Sequence, residues 1–227
     1  MQIMILNAGL RVPSNSRLLA DEISAALLRH APQARVEVVD VREHAHAIID
    51  AILTGFATGD LAEVLARLGT ADAVVAVAPT FQASYSGLFK SFMDTIEPDT
   101  LQATPVLLAA TGGSERHSLM LDHAMRPLFA YLGARPVATG IFAATSDFGT
   151  AGLNGRIQRA TGELIQAAHV SAGGPDGATA HASPSQPGAA PVRAYEPRIS
   201  RTAADLGQGP PDLDVVPFAE LLGRYRG

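Results

Sequence analysis

Three short runs hold the side chains of this sequence best suited to binding chemistry. The first is Ala8-Gly9-Leu10-Arg11-Val12-Pro13-Ser14-Asn15-Ser16-Arg17. It follows an apolar run and opens a helical pattern. A helix N-terminus presents unpaired N–H groups and a partial positive charge, which suits a phosphate dianion. Ser14, Asn15 and Ser16 add short donors, and Arg11 and Arg17 can add charge. The same residues also fit plain N-capping, where Ser and Asn are ordinary. The run is neither G-x-G-x-x-G nor G-x-x-x-x-G-K-[ST], so dinucleotide and Walker-type loops are not expected.

The second run is Pro79-Thr80-Phe81-Gln82-Ala83-Ser84-Tyr85-Ser86-Gly87. Thr80, Gln82, Ser84 and Ser86 bring hydrogen-bonding groups, and Phe81 and Tyr85 bring flat apolar faces. A planar heterocycle such as a flavin needs that mixture: apolar contact on a face and polar partners along an edge. A capped turn with core aromatics is the competing reading. The third run is Thr111-Gly112-Gly113-Ser114-Glu115-Arg116-His117. Its two glycines let backbone approach a ligand closely, and Ser114 can cap a following helix.

Other constellations carry less. His44-Ala45-His46 is a conceivable metal pair, but it lies away from the three runs and reads as a solvated loop. Asp122 and His123 with Ser114 or Ser118 suggest a hydrolase group, yet no G-x-S-x-G elbow is present.

The elements that must position these runs alternate. Strands are expected over residues 2–6, 35–41, 73–78, 105–110 and 135–142. Helices are expected over 16–29, 45–53, 60–68, 86–95, 115–132 and 153–169. The valine-rich run 73–78 and the run 105–110 are continuously apolar, as strands buried on both faces are. The layout predicts an α/β protein: a flavodoxin-like three-layer sandwich with a five-stranded parallel sheet in the order 2-1-3-4-5. In that order a ligand sits beyond the carboxyl ends of the strands, at the β1/β3 switch point. All three runs fall there. The predicted core domain spans residues 1–170. A Gly/Ala/Ser/Pro-rich linker is expected over 171–193, and a tail over 194–227. Pro217, Phe218, Leu221, Leu222 and Tyr225 in that tail suggest a short amphipathic helix.

Composition narrows the chemistry. The chain has 227 residues, 47% of them hydrophobic, ample for one α/β core. Its 22 acidic and 17 basic residues give a net charge of −5, no basis for expecting nucleic acid or an anionic membrane. There is no cysteine, which excludes disulfides, thiolate metal sites and cysteine nucleophiles. Redox chemistry would need a bound cofactor. With no signal segment and no membrane-length apolar run, a cytoplasmic protein is expected.

At these residues the sequence resembles the NADPH-dependent FMN reductases of the flavodoxin-like superfamily, over about residues 1–169. Members show a Gly-Ser-x-Arg-x-x-Ser phosphate loop. Arg11 and Ser14 match it in register, Ser16 and Arg17 follow, and Ala8-Gly9 replaces Gly-Ser. Members also show Pro-x-Tyr-x-x-Ser-x-x-Gly-x-x-Lys-x-x-x-Asp. Here Pro79, Ser84, Gly87, Lys90 and Asp94 match, with Phe81 in the tyrosine position. Thr111-Gly112-Gly113-Ser114 with His117 is similar to the family's third flavin loop.

The resemblance implies FMN and NAD(P)H, with hydride passing from nicotinamide to flavin N5. It implies no catalytic acid or base. It further implies a homodimer or homotetramer, with the helix around His123 near the interface, and reduced flavin supplied to a two-component monooxygenase. On the same fold, a quinone or azo reductase with retained FMN and a flavodoxin-like electron carrier are the alternatives. Against a carrier stand the mild net charge and the absence of tryptophan.

Overall fold

The structure, a computed structural model, describes residues 1–173. The expected tail, and the linker beyond residue 173, lie outside the described residues.

Strand β1 (Gln2–Asn7) pairs in parallel with β2 (Arg35–Asp40) on one side and β3 (Ala73–Phe81) on the other. Strand β3 also pairs in parallel with β5 (Pro105–Gly112), giving the order β2-β1-β3-β5. The central strands are buried on both faces, so alternate side chains feed two separate cores. Ile3, Ile5, Val75, Val77, Leu107 and Ala109 point to one layer. That layer is made by α1 (Asn15–His30) and α6 (Ala151–Gly173), whose Leu19, Ile23, Leu27, Ile157 and Leu164 are buried there. Met4, Leu6, Val74, Ala76, Leu108 and Ala110 point to the other. Ile48 of α2 (Ala45–Thr54), Leu61 of α3 (Gly59–Leu68), Phe89 of α4 (Gly87–Met93) and Phe129 of α5 (Arg126–Tyr131) complete it. This is the expected three-layer sandwich.

Four details differ from the expectation. The fifth strand is two short ones, β6 (Arg135–Pro136) and β7 (Ile141–Ala144), each paired with β5. Between them, Val137 N still donates to the Val106 carbonyl at 2.9 Å, and side chains then take over from the ladder. Glu163 accepts from Thr139 N at 2.8 Å and from Thr139 Oγ1 at 2.6 Å. Arg126 donates to the carbonyls of Val137 and Ala138 at 3.3 and 3.4 Å.

The expected helix 115–132 is three pieces: a 3₁₀ turn (Glu115–His117), a π turn (Leu121–Met125) and α5. Pro127 has no N–H to continue an α-helical ladder, and the widened turn sits immediately before it. Strand β3 runs on to Phe81 and folds back as an antiparallel hairpin with β4 (Ser84–Tyr85). Finally, α6 continues past residue 169 into the first residues of the expected linker.

The Phe89 ring joins the hairpin to the core. Tyr85 meets it edge-on at 5.4 Å, and the Phe129 ring lies 6.4 Å away, tilted against it. Phe89→Ala is expected to cost about 3–5 kcal/mol of stability, as large-to-small changes at fully buried aromatics do. A urea midpoint within error of wild type would refute that anchoring role.

Candidate functional site

The carboxyl ends of β1, β3, β5 and β7 lie at one edge of the sheet, and each opens into a polar loop. Asn7, the last residue of β1, is 2% exposed and organises the first of them. Its Oδ1 accepts from Gly9 N at 3.2 Å, and its Nδ2 donates to Asp40 Oδ1 at 2.6 Å. The loop then folds back on itself. A Cβ at Gly9 would lie 2.3 Å from Ser14 Oγ, so only glycine fits beneath that hydroxyl. Ser14 is the N-cap of α1, its Oγ accepting from Arg17 N at 3.1 Å. The N–H groups of Arg11, Val12, Asn15 and Ser16 have no acceptor among the described residues.

Side chains in this loop are placed differently from one another. Ser16 is buried, and its Oγ hydrogen-bonds Thr111 Oγ1 at 2.8 Å, tying the first loop to the third. Its hydroxyl therefore already has one partner within the protein. Arg17 is also not a free cation. Its NH1 lies 2.5 Å from Asp40 Oδ2, and its Nε donates to Asp21 Oδ1 at 2.9 Å. These contacts raise the guanidinium pKa further, chiefly through the Asp21 hydrogen bond and the charge of Asp40, against the cost of burial. Arg11 is exposed and forms no ion pair among the described residues.

The second run is a two-residue hairpin, in which Thr80 pairs with Tyr85 and Phe81 with Ser84. Its turn residues Gln82 and Ala83 both have positive φ, 48° and 66°. That is the hairpin geometry glycine and asparagine usually supply, so two ordinary side chains hold strained backbone here. Phe81 is 42% exposed. Thr80 Oγ1 donates to Met120 Sδ at 3.4 Å. Ser86 is buried as the cap of α4, its Oγ accepting from Phe89 N at 3.2 Å, so it serves the helix. Tyr85 is half-buried against Phe89, and Ser84 is half-buried at the hairpin base.

In the third run, Pro79 of β3 sits in register with Thr111 of β5. A Cβ at Gly112 would lie 2.8 Å from Phe142 Cζ, so the strand passes that ring only as glycine. Gly113 borders open space. Ser114 Oγ accepts from Arg116 Nε at 3.3 Å, and His117 is half-buried in the 3₁₀ turn that follows.

The structure thus brings Gly9, Ser14, Ser16, Pro79, Thr111 and Gly112 to one sheet edge, with the hairpin beside them. Asn7, Asp40 and Thr145 were not anticipated. Thr145 Oγ1 accepts from Asn15 Nδ2 at 3.3 Å, adding the end of β7 to the site. Asn7 and Asp40 are polar residues closing apolar strands, a signal readable in the sequence. Among the described residues, no group of three His, Asp or Glu side chains is placed to hold a metal, and no helix is long and apolar enough to cross a membrane.

A flavin phosphate fits this edge. The α1 N-terminus and the loop before it offer unpaired N–H donors, Gly9 removes the side chain that would fill the fold of the loop, and Arg11 supplies positive charge.

Comparison with known proteins agrees with this chemistry. The sequence profile described as NADPH-dependent FMN reductase matches residues 1–149. The NADH-dependent FMN reductase SfnF of Pseudomonas putida is 35% identical over 147 residues, 65% of this chain and 79% of that protein. An FMN reductase (NADPH) of Pseudomonas aeruginosa is 34% identical over 147 residues, 65% of this chain and 78% of that protein. Among solved structures, an oxidoreductase from Corynebacterium diphtheriae superposes with a TM-score of 0.71 at 41% identity, covering 74% of this chain and 96% of its own. The apo form of the NADH:FMN oxidoreductase EMOB superposes with a TM-score of 0.68 at 25% identity, covering 81% and 97%. This chain belongs to the NADPH-dependent FMN reductase family and is an NAD(P)H:FMN oxidoreductase whose cofactors are FMN and NAD(P)H.

Proposed function

We propose that FMN binds with its phosphate on the loop before α1 and its ring system between the Phe81–Ser84 hairpin and the Thr111–Ser114 loop, and that the reduced flavin is then released to a flavin-dependent monooxygenase. The observation that carries the reading is the makeup of the phosphate loop. Its side-chain groups at Ser14, Ser16 and Arg17 bond within the protein, while the N–H groups of Arg11, Val12, Asn15 and Ser16 do not. A cradle of backbone donors holds a phosphate by direction as much as by charge.

Bound flavin supplies the acceptor for hydride from the nicotinamide. The chain's own part is to orient and enclose. Gly112 and Gly113 let backbone approach the ring. Phe81 offers an apolar face without the hydroxyl of the tyrosine found in other members, so one polar tether is missing. A grip built this way suits a flavin that comes and goes as substrate.

We also propose a homodimer or homotetramer through the surface around His123. Leu119 is 61% exposed and Tyr131 89% exposed on either side of that π turn, apolar area that a second subunit would cover.

Three measurements test these readings. Ser14→Ala removes the cap that shapes the loop. It is expected to weaken FMN binding about fivefold to tenfold, the size of one lost helix cap, and to leave riboflavin binding unchanged. Equal loss for both flavins would place the phosphate elsewhere. Protein desalted in buffer is expected to lose its flavin and then oxidise NADPH or NADH anaerobically only when FMN is added. FMN that stays through desalting, with faster turnover on quinones, would defeat release to a monooxygenase. Light scattering at micromolar concentration is expected to give at least twice the mass of one chain, and a monomeric mass would contradict the interface.

A further inference from the structure

Three cations border the phosphate loop: Arg11 within it, Arg42, whose NH1 donates to the Leu10 carbonyl at 3.5 Å, and Arg17, which is held by carboxylates. Arg17 is the third residue of α1, and its own N–H is bonded to Ser14 Oγ, so its backbone belongs to the loop. Its side chain reaches across to the end of β2, where NH1 meets Asp40 Oδ2, and Asp21 holds Nε. The second oxygen of Asp40 accepts from Asn7 Nδ2, and Asn7 Oδ1 in turn accepts from Gly9 N. One carboxylate therefore anchors both the loop backbone and its arginine. Its own position is fixed, because Asp40 is paired with Asn7 in the β1–β2 ladder and its side chain is 21% exposed. Arg17 sits on a flexible stem and is 45% exposed.

We infer that Asp40 is a positioning residue that lowers the affinity for FMN by holding the Arg17 guanidinium away from the phosphate. The inference rests on the phosphate assignment proposed above. Two acidic side chains occupy the one Arg17 guanidinium, so a dianionic phosphate gains little from that arginine and depends for side-chain charge on Arg11 and Arg42. A half-exposed ion pair is weak, so the balance is easily shifted by removing one carboxylate. An arginine released from Asp40 has the planar fork that suits a phosphate. Restraining it makes physical sense in an enzyme whose flavin must leave after reduction, since affinity gained at the phosphate slows departure.

The test uses the full chain and two probes, FMN and riboflavin, with binding read by quenching of flavin fluorescence. Asp40→Asn keeps the shape and an oxygen acceptor for Asn7 but drops the charge. It is expected to tighten FMN about fivefold to tenfold and to leave riboflavin unchanged. In an Arg17→Ala background the same substitution is expected to give no gain. Arg17→Ala alone is expected to change FMN binding by less than about twofold. Asp21→Asn, at an exposed position, is expected to tighten FMN by about twofold and serves if Asp40→Asn does not fold.

A weaker or unchanged FMN affinity in the carboxylate variants overturns the inference. So does a gain shared with riboflavin, or one that persists without Arg17, which would be simple relief of charge repulsion. Wild-type protein that binds FMN no better than riboflavin would sink the phosphate assignment and this inference together. FMN preference in wild type without tightening in the variants would sink this inference alone.

Discussion

The parallel pairing of β1 with β3 sets Asn7 opposite Val77, and Ala8 N continues the ladder by donating to the Val77 carbonyl at 2.9 Å. The two strands thus run side by side to the same edge of the sheet, and their continuations part there. After β1 the chain turns into α1 on one layer. After β3 it turns through the hairpin into α4 on the other. Parallel neighbours whose crossovers lie on opposite faces leave a crevice between their loops. Nearly every feature of the site is a consequence. Asn7 is buried because it caps that junction, Gly9 is tight because the loop must turn immediately, and Ser16 meets Thr111 because β5 brings the third loop alongside.

Those constraints explain why so few side chains at the site are free. A buried hydroxyl needs a partner, and Ser16, Thr111 and Ser86 find theirs within the protein. What remains for a ligand is backbone at the start of α1, the exposed Arg11, glycine surface at residues 112–113, and the hairpin. Left-handed backbone at Gln82 and Ala83 costs on the order of 1–3 kcal/mol per residue. Packing of Tyr85 on Phe89 and the Ser86 cap hold the hairpin base against that cost.

The sequence was most legible where the backbone satisfies itself. The apolar runs of β1, β3 and β5 could only be buried parallel strands, and the helices between them followed by periodicity. Legibility failed where distant side chains take over backbone bonding. Nothing near residues 137–140 announces that Glu163 and Arg126 will satisfy that segment. The hairpin escaped notice because Gln82-Ala83 lacks the Asn-Gly or Gly signature of its turn. In residues 115–132 the leucine spacing continues through Pro127, and spacing alone does not register a missing N–H. The site shows the same division. The three loops were readable from their places after strands, whereas the partner of Arg17 was not, since Asp40 lies 23 residues away on another element.

That last contrast bears on how affinity is set in such a fold. The loop positions belong to the topology, and this sheet presents a helix N-terminus and a glycine turn at the same edge. They give a phosphate a place without fixing how tightly it is held. Tightness depends on the few charged side chains that reach the edge from elements not otherwise in the site. Here Arg11 comes from the loop itself, Arg42 reaches the Leu10 carbonyl from just after β2, and Arg17 arrives already paired. A carboxylate at the end of β2 can change without disturbing the core, because Asp40 lies at the ladder's end, where its side chain bonds Asn7 and Arg17 among the described residues. If Asp40 restrains Arg17 as proposed, residues at that strand end are where a shared scaffold is turned from one that retains its flavin to one that gives it up.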